Sequence, residues 1–172
     1  VTLKAIGQMY KQEVVDPTEF VDVVLVLDVS GSMGRNGTRL ADMKSAAKNA
    51  VDILLGQGLN GNPGNRVAIV KYSNMASTVE NFTQDVEELK KEIGLLQADG
   101  GTNIQNGFLR AQTLITNRGV GETNKPVIIL LSDGEPTYYH NNYNNHTESN
   151  RQGSGMVGTS NYNHVMRTIN QA

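Results

Sequence analysis

The sequence predicts an α/β fold, doubly wound, with a mostly parallel sheet and helices on both faces. Three observations predict it. Val21-Asp22-Val23-Val24-Leu25-Val26-Leu27 is β-branched and almost continuously apolar, as in a strand buried on both faces. Two further runs, Arg66 to Ser73 and Pro126 to Ser132, repeat the pattern, and each is short and bounded by turn residues. Between these runs lie stretches with helical spacing, so strand and helix alternate and right-handed crossovers are expected.

The elements can be justified in chain order. Residues 1–16 include an alternating stretch, Thr2 to Tyr10, that reads as a flanking β segment, the edge of a neighbouring β module; this leaves 17–172 as the domain itself. After the first buried strand, Leu40, Met43, Ala47, Ala50, Val51 and Leu54 place an apolar stripe on a helix from Arg39 to Leu55. Gly56 to Asn65 is rich in glycine and asparagine and reads as a connecting surface turn. Ser77 to Phe82 alternates and reads as an edge strand, reached by a tight turn around Asn74. Asp85 to Gln97 carries a stripe of Val86, Leu89, Ile93 and Leu96, and Ile104 to Thr116 carries one of Ile104, Phe108, Ala111 and Ile115. From Pro136 the composition changes to tyrosine and asparagine with few charges. Residues 137–163 therefore read as an irregular, arm-like insertion, with a new helix near Val165 to Ile169.

Composition narrows the function. Fifteen Lys and Arg against seventeen Asp and Glu give a net charge of −2, with no basic surplus for nucleic-acid phosphates or an anionic membrane. With no cysteine, disulfides, thiolate nucleophiles and Cys-based metal sites are excluded. The longest apolar runs are five residues, whereas a membrane helix needs about 20, so no membrane span is expected.

In an open parallel sheet, ligands gather at the carboxyl ends of the strands. The strand ending at Leu27 runs into Asp28-Val29-Ser30-Gly31-Ser32, which places a carboxylate and two hydroxyls at alternate positions of a glycine-containing turn. The strand ending at Leu131 runs into Ser132-Asp133-Gly134-Glu135, and Asp99-Gly100-Gly101-Thr102 presents another hydroxyl just before a helix. Asp28, Ser30, Ser32, Thr102 and Asp133 form an all-oxygen set without sulfur or imidazole. Such a set suits a hard divalent cation, Mg²⁺ first, with Mn²⁺ or Ca²⁺ as alternatives. No His or Lys lies in these loops to serve as a general base, so binding is favoured over catalysis. His140, His146 and His164 match no zinc spacing and read as solvated loop residues.

Asp28-x-Ser30-x-Ser32, followed by Thr102 and Asp133 in a βα alternation, resembles the metal-ion-dependent adhesion site of von Willebrand factor type A domains, over about Phe20 to Pro136. The resemblance implies that Ser30 and Ser32 bind the ion directly. It implies that Thr102 binds directly or through water, and that Asp28 and Asp133 act mainly one layer out or through waters. The implied function is a non-enzymatic, metal-dependent adhesion module, most like those of Gram-positive pilus-tip and cell-wall adhesins. Its partners would be an extracellular host or matrix protein offering an Asp or Glu side chain, and other pilus or surface subunits. Its location would be the cell surface, on the cell wall or at a pilus tip. The alternatives are an intracellular A domain of a chelatase-like, ATPase-linked machine and, more remotely, a metal-assisted hydrolase using water beside Asp133 or Glu135.

Tyr138, Tyr139 and Tyr143 follow the third metal loop and are the candidate ligand-contacting residues, since rigid tyrosines among asparagines suit an adaptable recognition surface. In such adhesins some β modules carry Lys–Asn cross-links, which makes Lys4 a candidate for an isopeptide bond. A complete domain of this family has further parallel strands, and nothing after Pro136 resembles Val23 to Leu27. The last strands are therefore expected beyond Ala172.

Overall fold

A computed structural model describes residues 20–35, 37–56, 64–119, 122–140, 151–153, 155–156 and 158–170. The flanking segment 1–16, with Lys4, lies outside the described residues, as do Tyr143 and His146. In chain order the elements are β1 (Val21–Asp28), a 3-10 turn (Gly31–Gly34), α1 (Arg39–Leu55), β2 (Arg66–Tyr72), β3 (Ala76–Thr83), α2 (Val86–Leu95), α3 (Ile104–Thr116), β4 (Lys125–Leu131), the two-residue strands β5 (Tyr139–His140) and β6 (Arg151–Gln152), and α4 (Thr159–Asn170).

The main sheet has the order β3-β2-β1-β4, with β1 parallel to both β2 and β4, and β3 antiparallel to β2. β1 is an interior strand with parallel partners on both sides, which is why its run of Val and Leu has no polar alternation. Successive side chains point to opposite faces, and both faces are covered. Val23, Leu25 and Leu27 meet Met43, Ala47 and Val51 of α1 and Leu89 and Ile93 of α2. Val24 and Val26, with Ala68, Val70 and Tyr72 of β2, meet Ile104 and Ala111 of α3 and Val165 of α4. Each such side chain removed from water contributes about 1.5–3 kcal/mol before the entropy of ordering is charged against it. The doubly wound arrangement expected from the alternation is the one observed.

Helix starts follow their capping residues. The Asp85 side chain accepts from the Glu88 backbone N–H at 3.0 Å and starts α2. Asn103 does the same for Asn106 at 3.1 Å and starts α3, so Thr102 sits on the loop immediately before that helix. α3 comes close to the sheet at Gly107, where a Cβ would stand 3.0 Å from both Tyr72 and Val26. Gly107→Ala is therefore expected to destabilise the fold by about 1–3 kcal/mol through overpacking, despite alanine's better helix propensity, and a urea midpoint would read the sign.

The region after Pro136 departs from the sequence expectation. It was expected to be irregular up to residue 163, yet β5 pairs antiparallel with β6, and α4 begins at Thr159. The helix expected near Val165 to Ile169 is present but starts six residues earlier, and its buried side is partly polar: Asn161, Val165 and Thr168 face inward, while Tyr162, Met166 and Ile169 are exposed. The Asn161 amide donates to the backbone carbonyls of Pro136 and Met156, at 2.9 and 3.0 Å, so a buried polar residue is satisfied there.

The expectation of solvated histidines fails for the two that are described. His140 is fully buried, and the His164 ring stacks on Tyr139 with centroids 4.2 Å apart. Burial, and then the neighbouring Arg167, hold the His164 imidazole below its ordinary value, so its neutral form is favoured in the fold. Its contribution to stability is present above the ordinary histidine range and is lost as pH falls through the lowered value.

Candidate metal-binding site

The carboxyl ends of β1 and β4 lie side by side, with Leu27 opposite Leu131, and the loops leaving them carry four of the five predicted residues. Asp28 is the last residue of β1 and is completely buried. Its Oδ1 accepts from the Ser30 backbone N–H at 2.8 Å, which folds the turn back so that the two serines follow. Its Oδ2 accepts from the Tyr72 hydroxyl at 3.0 Å and from the Ser132 hydroxyl at 2.6 Å. A buried carboxylate is expensive unless hydrogen-bonded, and this one is held from three sides. Burial, and then the Asp28 charge, push the Tyr72 hydroxyl well above its ordinary value, so Tyr72 stays a donor.

Ser30 and Ser32 have their hydroxyl oxygens 2.9 Å apart, and Ser32 donates to Asp133 Oδ1 at 2.9 Å across 101 residues of chain. Because the single proton of Ser32 goes to Asp133, Ser30 must be the donor within the serine pair. The chain of donation runs from Ser30 to Ser32 to Asp133, and lone pairs on both serine oxygens stay free to face a cation.

Thr102 is brought in by its loop. Gly31 N–H donates to Gly100 O at 2.8 Å, which ties the loop to the serine turn. The Gly101 N–H donates to Asn74 Oδ1 at 2.7 Å. Thr102 itself is clamped by the segment after the third loop: its N–H donates to Thr137 Oγ1 at 2.8 Å, and its carbonyl accepts from the N–H groups of Thr137 and Tyr138. A Cβ at Gly134 would stand 3.6 Å from Ser32 Oγ and 4.0 Å from Thr102 Oγ1. Both hydroxyls therefore border one gap, which the glycine leaves open. The chemistry of this donor set, neutral hydroxyls beside the Asp133 carboxylate, is the kind that a hard divalent cation takes. Among the described residues no group of three or more His, Cys, Asp or Glu is placed to hold a metal, so the donor set rests on hydroxyls.

Of the tyrosines proposed to meet a ligand, the two that are described are half-buried. Tyr138 lies over Gly101, where a Cβ would come within 2.2 Å of its ring, and Tyr139 is stacked on His164. Tyr138 thus packs on the loop that carries Thr102, and Tyr139 on α4. Residues the sequence reading missed are Tyr72, Ser132, Asn74, Thr137 and Arg39. The first two had a signal: Tyr72 pairs in register with Asp28, and Ser132 directly follows Leu131, the partner of Leu27. Arg39, the first residue of α1, donates to Asp133 Oδ2 at 2.6 Å. Among the described residues neither serine hydroxyl is hydrogen-bonded to a histidine or lysine; the Asp133 carboxylate accepts the Ser32 proton.

A sequence profile of the von Willebrand factor type A domain matches residues 23–135. Minor fimbrium subunit Mfa5 of Porphyromonas gingivalis is 34% identical over 120 residues, covering 68% of this chain and 9% of that protein. The crystal structure of the vWF domain of that type V pili tip protein superposes with a TM-score of 0.63 at 31% identity, covering 70% of this chain and 40% of the other. Inter-alpha-trypsin inhibitor heavy chain H4 of Bos taurus is 31% identical over 125 residues, covering 67% of this chain and 13% of its own length. The pilus adhesin SpaC of Lactobacillus rhamnosus GG is similar in structure, with a TM-score of 0.60 at 26% identity over 82% of this chain and 19% of that one. The chain thus spans about a tenth of the length of these curated relatives.

Proposed function

Because this chain belongs to the von Willebrand factor type A domain family, we propose that it is the metal-dependent adhesion module of a bacterial surface or pilus-tip protein. It binds an extracellular host or matrix protein by coordinating an acidic side chain of that partner to a bound divalent cation, Mg²⁺ first. The observation that carries this reading is the meeting of Asp28, Ser30, Ser32, Thr102 and Asp133 at one edge of the sheet, around the gap beside Gly134. Similarity to a pilus tip protein and a pilus adhesin supports a surface location, and assembly with other pilus subunits. No described helix is long and apolar enough to cross a membrane.

The bound ion would supply Lewis acidity toward an incoming carboxylate. The chain's own residues determine how much of it remains available. Ser30 and Ser32 are neutral donors, so they leave the ion's charge largely uncompensated. Asp28 contributes by fixing the serine turn from within the core, and Asp133 by orienting the Ser32 proton. With neutral hydroxyls as its donors and Asp133 engaged by Ser32 and Arg39, the site suits an incoming carboxylate.

The test is binding to immobilised matrix proteins in Mg²⁺ and in EDTA, with wild type and Ser30→Ala. Chelation is expected to abolish binding, and Ser30→Ala to weaken it at least tenfold, the scale seen when a metal site loses a supporting group. Binding that survives both would sink the metal-bridged mechanism.

A further inference from the structure

We propose that Arg39 is a resident cation that competes with the divalent ion for Asp133 and so sets the metal affinity of the site; this rests on the metal-dependent reading above. The Asp133 carboxylate is divided between two donors, Ser32 on Oδ1 and Arg39 on Oδ2, the latter an ion pair of 2.6 Å. The carboxylate side chain is 13% exposed while the Arg39 side chain is 46% exposed, so the arginine reaches the carboxylate from the solvent side. Any cation held by the two serines must share Asp133 with it.

The position of Arg39 in its helix points the same way. It is the first residue of α1, at the end where the helix macrodipole is positive and where a cation is disfavoured. Helix stability therefore gives no reason for an arginine there, and its one ion pair among the described residues is with Asp133. The guanidinium acts on metal binding in two ways. It repels a divalent charge across a single carboxylate, and it neutralises the carboxylate that would otherwise attract that charge. Both effects weaken metal binding, and because the Arg39 side chain is exposed to water, both fade as salt rises.

The sign of this effect separates it from a structural role, since a residue that merely supported the site would weaken metal binding when removed. The experiment is calorimetric titration of the chain with Mn²⁺ and with Mg²⁺, for wild type, Arg39→Gln, Arg39→Lys and Ser30→Ala, at low and at high salt. Thermal unfolding without added metal checks that each variant folds. Arg39→Gln is expected to bind about tenfold more tightly than wild type at low salt, with the gain shrinking at high salt. Arg39→Lys, which keeps the charge, is expected to stay within about twofold of wild type. If wild type binds, Ser30→Ala does not, and Arg39→Gln is no tighter, this inference alone is overturned. If wild type shows no saturable binding, or if Ser30→Ala binds as well as wild type, the metal-site reading falls and the inference with it.

Discussion

Asp22→Ala is expected to cost about 3–5 kcal/mol of folding stability, although the residue lies at the opposite end of β1 from the candidate metal site. Asp22 is fully buried. Its Oδ1 accepts from Arg66 Nε at 2.8 Å and Asn124 Nδ2 at 2.9 Å, and its Oδ2 from Arg66 Nη2 and Arg118 Nη1, both at 2.7 Å. The carboxylate thereby joins the starts of β1 and β2, the stretch after α3 and the approach to β4. Burial alone would raise its pKa, but the hydrogen bonds from Arg66, Arg118 and Asn124 outweigh burial and hold it at about 2. Truncation leaves Arg118, only 12% exposed, without its carboxylate, and that uncompensated charge carries most of the cost.

The same carboxylate predicts an acid limb. Because its folded value lies below its unfolded value of about 3.8, its contribution is complete above that range and disappears as pH falls from about 4 to about 2. The contribution amounts to about 2 kcal/mol. Urea midpoints measured across that window should fall for wild type and should be flatter for Asp22→Ala. Equal slopes would show that another carboxylate dominates acid unfolding.

The second large effect is expected at Asp28. Asp28→Ala strips three donors of their acceptor, of which the Ser30 N–H and the Tyr72 hydroxyl are buried and the Ser132 hydroxyl is open to water. At about 1–3 kcal/mol for each buried donor left unsatisfied, less whatever water and relaxation recover, a loss of about 3 kcal/mol is expected. Asp28→Asn keeps the shape but loses the charge and one acceptor, and should fold better than the alanine variant. The alanine variant no longer fixes the serine turn from beneath and the asparagine variant removes the charge beneath it, so metal affinity should drop about 10- to 100-fold in protein that remains folded. Mn²⁺ titration alongside thermal unfolding separates the two outcomes. A folded Asp28→Asn with unchanged affinity would show that the serines hold their own geometry.

Residue by residue, legibility followed whether a signal was local. The bounds of α1 and α3 could be read directly, because each carries an uninterrupted apolar stripe. α2 is shorter than its stripe by the capping residue Asp85 and by two residues at its end, where Leu96 is already extended. The edge strand around Ser77 to Phe82 was visible from alternation, although its antiparallel pairing with β2 came from the short turn at Ser73 to Met75. The helix near Val165 to Ile169 was visible, but the start of α4 at Thr159 and the β5–β6 pair were not. Their buried residues, among them His140, Asn161 and Thr168, are polar, and they are tolerated inside because specific carbonyls and side chains meet them.

By itself the sequence determined the α/β class, the parallel core strand at Val23 to Leu27, and the oxygen-donor residues Asp28, Ser30, Ser32, Thr102 and Asp133. These were legible because hydrophobic periodicity and strand-end loops are local properties of the chain. The tertiary structure alone decided which groups complete the site. Tyr72 and Ser132 secure Asp28, Thr137 clamps Thr102, and Arg39 holds the far oxygen of Asp133. Those contacts join residues 35 to 104 positions apart, and their strength depends on burial and on hydrogen-bond geometry. Both properties come into being only when the strands and loops have packed, so no local pattern in the chain encodes them.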